Sequence, residues 1–391
     1  MNKQLGYRIF ACLYTVFSLL PPKKKQVFLV MTHDSSPEGN VGVVEQYLKD
    51  TKEGYHFARL VRTDTYFMYN DGANKFSRIL HALEKAFHFF VTDAYQMARS
   101  SYVFLDNTFL PMAYMKFRKQ VRVVQLWHGT GTLKKLGQDV NEGALKQLEY
   151  LANRNVTDLV VSSRYMEDIY GKSFTIPKDK IRRIGLPRTD IFFDEEKRKK
   201  HLEAFYQEFP MCRGKKLLLY APTFRDNEKE KPALAPAIWE LSKAVGEDTI
   251  IALRMHPFIA HNIKWKKLPA NVMNFSSYQS LNTLLFATSL LITDYSSIMF
   301  EYVVLNRPMV FYAYDLEEFS CRGRGFYQDY ESYVPGPVAK DAKTLIAAVE
   351  AEDTWEDKRQ KFVEEIYEYT DGGSMERLAD LLEIGKKIPQ D

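Results

Sequence analysis

The chain has 391 residues, which is long for a single hydrophobic core and predicts two domains. Hydrophobic residues make up 46% and charged residues 27%, a composition that excludes a disordered chain. The net charge of +4 is small for this length, so the composition does not demand a nucleic-acid partner and we expect none.

The first predicted element is an amphipathic helix within residues 1–25. Tyr7 to Leu20 is mostly apolar over 14 residues, and the whole segment carries basic residues but no acid. A bilayer span takes about 20 residues, and Pro21-Pro22 followed by lysines is not a signal-peptide cleavage site. We therefore expect a helix and basic linker lying on an anionic membrane surface. A helix packed on the protein's own core and an uncleaved signal remain the alternatives.

Short apolar runs then alternate with helical stretches, which predicts parallel sheets with helices on both faces. We expect domains at 26–208 and 209–355, followed by C-terminal helices at 356–391. The predicted strands are 26–32, 57–61, 102–106, 121–127, 158–162, 181–184, 216–220, 249–253, 272–275, 290–293 and 309–311. The predicted helices are 43–49, 74–87, 142–153, 165–170, 195–208, 237–243, 281–287, 297–305 and 342–350. Residues 226–236 are acid-, Lys- and Pro-rich and predict a loop of lid length.

A histidine stands at the carboxyl end of the predicted strand 121–127. His128 is followed by Gly129 and Gly131, whose small size lets a ligand approach the backbone. Imidazole titrates near neutral pH, so His128 is a candidate acceptor for the proton of an attacking hydroxyl. A structural histidine that caps a turn is the alternative.

Further polar segments follow strands of the second half. Arg254 and His256 follow strand 249–253, and a guanidinium and an imidazole suit phosphate oxygens. Ser296 and Ser297 open a predicted helix, whose N-terminus would suit a diphosphate. A polar strand end at the surface and ordinary N-capping are the respective alternatives. Glu301 is a candidate for ribose hydroxyls, although a lone Glu on a helix is usually just solvated.

Two weaker segments are 220–226, and 322–326 with its alternating arginine and glycine. No Walker A sequence, Cys/His cluster or nucleophile elbow is present. The cysteines, Cys12, Cys212 and Cys321, are too few and too scattered for a disulfide framework or zinc site. We expect no metal and no cofactor, so that Arg, Lys, His and a helix terminus would neutralise the phosphates.

Five segments in this order resemble the CDP-glycerol glycerophosphotransferase family of teichoic acid biosynthesis. They are Gln-Leu-Trp-His-Gly-Thr-x-x-Leu-Lys-Lys-Leu-Gly (125–137), Tyr-Ala-Pro-Thr-Phe-Arg-Asp (220–226), Arg-x-His-Pro (254–257), Thr-Asp-Tyr-Ser-Ser (293–297) and Arg-Gly-Phe-Tyr-x-Asp-Tyr-Glu (324–331). The resemblance covers about residues 100 to 340. It implies a GT-B-like α/β fold, with two doubly wound Rossmann-like domains facing a cleft.

The resemblance also implies a set of site residues and partners. His128 and His256 match the family's two essential histidines, and the serines of 293–297 match its diphosphate contacts. We assign the remaining donor-side positions to Arg254, Thr223, Arg225, Thr293, Ser296, Ser297, Glu301, Arg324 and Lys134. The implied partners are CDP-glycerol, an undecaprenyl-diphosphate-linked disaccharide, the cytoplasmic face of the cell membrane, which the protein would bind peripherally, and a cell-wall biosynthesis complex.

The chain has little beyond the two predicted domains, which favours a primase or a single-unit extender over a polymerase. It departs from many relatives by having Gly131-Thr132 where they place a proline, and this puts the acceptor preference in doubt. A CDP-ribitol enzyme, a teichoic acid polymerase, a nucleotide-sugar glycosyltransferase of GT-B fold and a non-catalytic scaffold remain as alternatives.

Overall fold

The structure is a computed structural model that describes residues 3–65, 75–223, 225, 236–255, 268–322 and 324–385. The chain divides into two compact units. Unit 1 comprises residues 1–130, 136–190 and 367–391, and unit 2 comprises residues 131–135 and 191–366.

The strands of the described residues number twelve. In chain order they are β1 Lys23–Met31, β2 His56–Val61, β3 Ser100–Leu105, β4 Arg122–Gln125, β5 Asp158–Val161, β6 Ile181–Arg183, β7 Lys216–Tyr220, β8 Thr249–Leu253, β9 Val272–Asn274, β10 Leu290–Thr293, β11 Met309–Tyr312 and β12 Val338–Ala339.

The α-helices of the described residues connect these strands. They are α1 Lys3–Phe17, α2 Asn40–Asp50, α3 Lys75–Phe87, α4 Ala94–Arg99, α5 Gly143–Asn153, α6 Arg164–Phe174, α7 Asp190–Phe193, α8 Glu195–Glu208, α9 Pro236–Ala244, α10 Leu281–Ala287, α11 Ile298–Tyr302, α12 Leu316–Arg322, α13 Tyr330–Tyr333, α14 Ala342–Glu350, α15 Glu356–Ile366 and α16 Ser374–Leu382. A π-helical turn at His88–Asp93 joins α3 to α4.

Unit 1 is built on a six-stranded sheet in the order β2-β1-β3-β4-β5-β6. Every neighbouring pair is parallel. Its central strands are buried on both faces, because helices cover both sides of a parallel sheet, and they therefore read as continuous apolar runs. All six carboxyl ends lie at one edge, where open α/β sheets bind their ligands.

Unit 2 repeats the arrangement with the strand order β12-β11-β10-β7-β8-β9, again all parallel. The predicted α/β class with two Rossmann-like domains is confirmed. The units do not begin and end where the predicted domains do, because α16 packs Met375, Leu378 and Leu382 into the core of unit 1 with Val27 and Leu29 of β1.

The predicted N-terminal helix is present as α1, and one of its faces packs on the core of unit 1. Phe10 and Tyr14 are buried there, and the Phe10 ring lies 5.0 Å from that of Phe89. The opposite face carries the exposed Leu5 and Val16. Core packing therefore fixes α1, and its placement on a membrane stays a prediction.

Most predicted elements appear within a few residues of their expected bounds. No strand is predicted at β12, because its two residues are too few to form a periodic pattern. The predicted helix at 297–305 is shorter, because α11 ends at Tyr302 and gives way to a 3₁₀ turn, Val303–Leu305. The predicted loop at 226–236 lies outside the described residues except for Pro236, which begins α9.

Candidate functional site

His128 stands three residues beyond β4, after a turn that holds Trp127 at φ +57°. A bulky side chain seldom adopts this left-handed conformation, so other contacts must hold it. The Trp127 amide donates to Gln125 Oε1 at 3.0 Å, and Asn40 Nδ2 donates to the carbonyl oxygens of Leu126 and Trp127 at 3.2 and 3.0 Å. The turn that presents His128 is therefore built by two buried amide side chains.

The imidazole of His128 is oriented by the main chain at the end of β3. Its Nδ1 lies 2.9 Å from the carbonyl oxygen of Asp106. A carbonyl oxygen can only accept, so Nδ1 carries the proton in this hydrogen bond. In the neutral ring the lone pair is then on Nε2, which is the arrangement that a general base needs.

Asp106 also organises the loop that follows β1. Its carboxylate accepts the backbone amides of Thr32, His33 and Asp34 at 3.0, 3.0 and 2.8 Å. Burial raises the pKa of Asp106 to about 6, and the three amide donors act in the opposite direction. One residue thus holds the backbone at position 33 through its carboxylate and the ring of His128 through its carbonyl oxygen.

The ring of His33 stacks on that of His128, with 3.4 Å between centroids and 12° between planes. Arg188 Nη1 donates to the carbonyl oxygen of His128 at 2.6 Å and lies 3.9 Å from Asp34 Oδ2. These groups gather at the carboxyl edge of the unit 1 sheet. The arrangement can remove a proton from a hydroxyl group that reaches Nε2 of His128.

Unit 2 has its own polar cluster at the carboxyl edge, centred on the buried Asp294 that follows β10. The Asp294 carboxylate accepts the backbone amides of Thr223 and Tyr295 at 2.8 and 2.6 Å and pairs with Arg225 at 2.5 Å. Arg225 also donates to both carboxylate oxygens of Asp315, each at 2.9 Å. Arg225 is thus engaged by two carboxylates, and its predicted phosphate contact stays a prediction.

Three of the predicted donor-side residues lie in or beside the Asp294 cluster of unit 2: Thr223, Lys134 and Arg324. Thr223 Oγ1 is buried without a hydrogen-bond partner among the described residues. Burial lowers the pKa of Lys134 to about 8, whereas the charge of Asp294 raises it and that of Arg324 lowers it further. Within the described part of the chain, neither Lys134 nor the exposed Arg324 forms an ion pair. Unpaired donors of this kind suit an anionic ligand.

Lys134 reaches this cluster because residues 131–135 belong to unit 2. The Lys135 amide donates to the Gly325 carbonyl and the Tyr327 amide donates to the Leu133 carbonyl, both at 3.0 Å. Lys134 and Phe326 form an antiparallel bridge. The segment after His128 and the segment 324–331 are therefore one structural element.

Gly131 is packed against the ring of Phe300, and a Cβ added at position 131 would lie 2.5 Å from two of its ring carbons. We expect Gly131→Ala to destabilise the protein by about 1–3 kcal/mol, because Phe300 is fully buried and cannot move aside. Urea unfolding of the variant measures this loss.

The double variant Gly131→Ala/Phe300→Leu removes the clash, and we expect it to cost less than the sum of its two single variants. Additive effects would contradict the contact. Gly143→Ala is a poor control because Gly143 has a positive φ, whereas Gly246 has no atom within 3.0 Å of an added Cβ and makes Gly246→Ala a suitable one.

Other predicted site residues are engaged within unit 2. Thr293 is buried and donates through Oγ1 to the Ala221 carbonyl at 2.7 Å. Arg254 Nη1 donates to the carbonyl oxygens of Phe275 and Tyr278, the first at 2.8 Å. These hydrogen bonds stabilise the loop after β9. Glu301 is buried in α11 rather than solvated. Their predicted contacts with a ligand stay predictions.

The two serines at α11 do not act as ordinary caps. Ser297 is the N-cap residue, yet its side chain makes no cap hydrogen bond, and Ser296 Oγ accepts the Ile298 amide at 3.4 Å. Because α11 has only five residues, its dipole is weaker than the predicted longer helix would supply. His256, the second predicted catalytic histidine, lies outside the described residues.

Sequence reasoning missed His33, Asp106, Asp294 as an organising carboxylate, and Asp315. Each follows directly or closely on a buried strand: β1, β3, β10 and β11. The sequence signal for these residues was their position after predicted strands, because the carboxyl ends of parallel strands lie at the same edge of a sheet. Without the strand order, the sequence could not show which of these ends are neighbours.

Comparison with known proteins places the chain in a family. Residues 12–384 match the family described as CDP-Glycerol:Poly(glycerophosphate) glycerophosphotransferase. The chain belongs to this family. The resemblance recognised in the five segments is thereby confirmed.

The chain is also similar in sequence to teichoic acid enzymes. The chain is 30% identical over 384 residues to the teichoic acid poly(ribitol-phosphate) polymerase of Bacillus spizizenii, covering 97% of this chain and 59% of the relative. It is 33% identical over 294 residues to the teichoic acid glycerol-phosphate primase of Bacillus subtilis, covering 74% of this chain and 75% of the relative. The chain thus spans well under two thirds of the polymerase's length.

The fold is similar to that of the wall teichoic acid polymerase TagF soaked with CDPG. The TM-score is 0.77 at 21% identity, and the match covers 96% of this chain and 93% of that one. The GT-B-like architecture expected for the family is confirmed by this likeness. Within the described ranges, every helix is too short or too polar to traverse a bilayer.

Proposed function

We propose that this chain transfers glycerol phosphate from CDP-glycerol to a hydroxyl of an undecaprenyl-diphosphate-linked disaccharide in wall teichoic acid biosynthesis, releasing CMP. We propose further that it acts as a primase or single-unit enzyme. The observation that carries the proposal is the hydrogen bond from His128 Nδ1 to the Asp106 carbonyl, because it directs the lone pair of the neutral ring to Nε2. Family membership supplies the reaction class.

In the proposed reaction, His128 Nε2 takes the proton of the acceptor hydroxyl. The hydroxyl oxygen attacks the phosphorus next to glycerol, a new O–P bond forms, and the P–O bond to CMP breaks in line. CMP leaves with the electron pair of that bond. Positioning and electrostatic stabilisation carry such phosphoryl transfers, so the donor-side cations matter as much as the base.

On the donor side, we propose that Lys134, Arg324 and Thr223 Oγ1 contact the diphosphate. All three have hydrogen-bonding capacity that no described residue takes up. The proposal also includes Ser297, whose hydroxyl makes no cap bond, and His256 as a further donor. Arg225 would act indirectly, by fixing Asp294 and thereby the backbone at Thr223.

CDP-ribitol is the second candidate donor, because the poly(ribitol-phosphate) polymerase matches almost the whole of this chain. The decisive test is a donor panel of CDP-glycerol, CDP-ribitol and UDP-sugars with a lipid-linked disaccharide, followed by CMP release and product mass. We expect CMP and a product larger by one glycerol phosphate. Release of UMP or UDP from the UDP-sugars alone would replace the proposal with a glycosyltransferase, and absence of turnover would favour a scaffold.

We also propose that unit 1 binds peripherally to an anionic membrane surface on the cytoplasmic side, as part of cell-wall biosynthesis, with α3 as its principal contact. The apolar side chains of α3 fall on one face and remain exposed to solvent: Ile79 49%, Leu80 52%, Leu83 61% and Phe87 63%. Arg78 and Lys85 flank this face, with Glu84 as the acid among them. Exposed apolar residues at helical spacing with basic neighbours suit an anionic lipid interface.

We expect the pair Leu83→Glu/Phe87→Glu to lower sedimentation with phosphatidylglycerol vesicles at least about tenfold, because two charges would enter the headgroup region. Met211→Glu is the matched control, since Met211 is exposed to 53% in unit 2. Equal sedimentation of the paired variant and the wild type would contradict α3 as the contact. Deleting residues 1–25 is a poorer test, because it also removes Phe10 and Tyr14 from the core.

A further inference from the structure

The ring of His33 stacks on that of the proposed base, His128, yet His33 takes no part in the proton transfer itself. Their ring planes are within 12° of parallel, and the 3.4 Å between centroids is the thickness of an aromatic ring. Trp127 adds a third ring, 4.0 Å from His128 and tilted by 33°. The His128 imidazole therefore contacts two other rings, and its Nδ1 is held by a hydrogen bond.

The position of His33 is fixed by the fold and not by chance contact at the surface. Its backbone amide donates to Asp106 Oδ2 at 3.0 Å, between the amides of Thr32 and Asp34, which donate to the same carboxylate. Asp106 is buried, and its carbonyl oxygen orients His128. Asp106, at the end of β3, thus holds both the backbone of His33 and the imidazole of His128.

We propose that His33 is a positioning residue for the reaction, which holds the ring plane of His128 and takes the first proton that the stacked pair binds. This inference rests on the proposed function, because it assigns His128 the task of accepting the acceptor's proton. His33 itself touches neither donor nor acceptor in this proposal. It keeps His128 neutral and oriented over a wider pH range.

The order of protonation follows from exposure and distance. His33 is exposed, whereas His128 is half-buried, so water stabilises a charge on His33 better. Once His33 is charged, a second proton 3.4 Å away is opposed by Coulomb repulsion. Asp34, Asp106 and Arg188 are charged groups close to the pair, and all three are retained when only position 33 is changed.

The first experiment is the pH profile of kcat/KM for CMP release by wild type and His33→Phe. Phenylalanine keeps a stacked ring but takes no proton. We expect turnover at high pH within about threefold of wild type and an acid limb displaced to higher pH by on the order of one unit, because the repulsion is gone. His33→Gln lacks both the ring and the proton, so we expect the same displacement together with a lower kcat.

An acid limb that stays in place in both His33 variants would overturn the inference, whatever their kcat. His56→Phe is the matched control, since His56 is an exposed histidine of unit 1 at the start of β2, and its profile should match wild type. If the wild type turns over no CDP-polyol, the proposed function is wrong and no pH profile of CMP release can be measured.

Histidine NMR then tests the inference independently of activity. In ¹⁵N-histidine-labelled protein, we expect the His128 ring to bind its proton at higher pH in His33→Phe than in wild type. Coincident titrations of His128 in the two proteins would overturn the role of His33. The same spectra report whether Nδ1 carries the proton of the neutral ring.

Discussion

His128→Gln should lower CMP release by about 10²–10⁴-fold, the range for loss of a general base. Glutamine can still donate to the Asp106 carbonyl but cannot take up a proton at neutral pH. The turn itself should survive, because Gln125 and Asn40 hold the backbone of Trp127 without help from the imidazole. We therefore expect the wild-type unfolding midpoint together with a low kcat.

The measurement is CMP release from CDP-glycerol with lipid acceptor at saturating substrate. His201→Gln is a matched control in unit 2, where His201 Nδ1 lies 2.6 Å from Thr283 Oγ1 and has no part in the proposed chemistry. Near-normal turnover by His128→Gln would remove this residue as the base. A fall in stability that parallels the fall in kcat would instead show a structural histidine.

Arg225→Met should destabilise the protein by about 3–5 kcal/mol, because it leaves a buried carboxylate without its cation. Asp294 is 1% exposed and Arg225 is 8% exposed, so water cannot replace the missing charge. The variant also removes the guanidinium from Tyr295, Tyr314 and Phe319, whose ring centroids lie 5.1 to 5.5 Å away. Chemical denaturation measures the difference.

Arg213→Met provides the contrast, since Arg213 pairs with Glu203 at 2.8 Å on the surface, where both side chains are more than half exposed. We expect that change to leave the free energy of unfolding close to that of the wild type, because solvent screens the exposed pair. If the two arginine variants were equally stable, Asp294 would not depend on its buried partner. Removing both charges, as in Arg225→Met/Asp294→Asn, should recover part of the loss.

The order of strands and helices could largely be predicted from the sequence. Buried parallel strands are short apolar runs between helical patterns, and β7, β8 and β10 match their predicted bounds. The π-helical turn at His88–Asp93 and the helix α4 after it were not foreseen. They continue α3 without a breaking residue, so no local signal separates them.

The candidate site was predicted less completely than the fold. His128 and the cations of unit 2 could be found because each sits in a short segment with glycine, proline or serine beside it. The contacts of Asp106 could not, since they join β3 to the ends of β1 and β4 across the sheet. Nor could the sequence show that Arg225 faces two carboxylates distant along the chain.

The path of the chain through unit 1 has a practical consequence for making each half separately. Apart from residues 131–135, unit 2 is one continuous stretch that leaves unit 1 after Asp190 and returns at Tyr367. Near that return, Asp190 accepts the backbone amides of Ser374 and Met375 at 2.9 and 2.8 Å. A stop codon placed after residue 366 would therefore strip α16 from the first sheet, whereas replacing residues 191–366 with a glycine linker would keep it. Expression of unit 1 calls for an internal excision and not for a truncation.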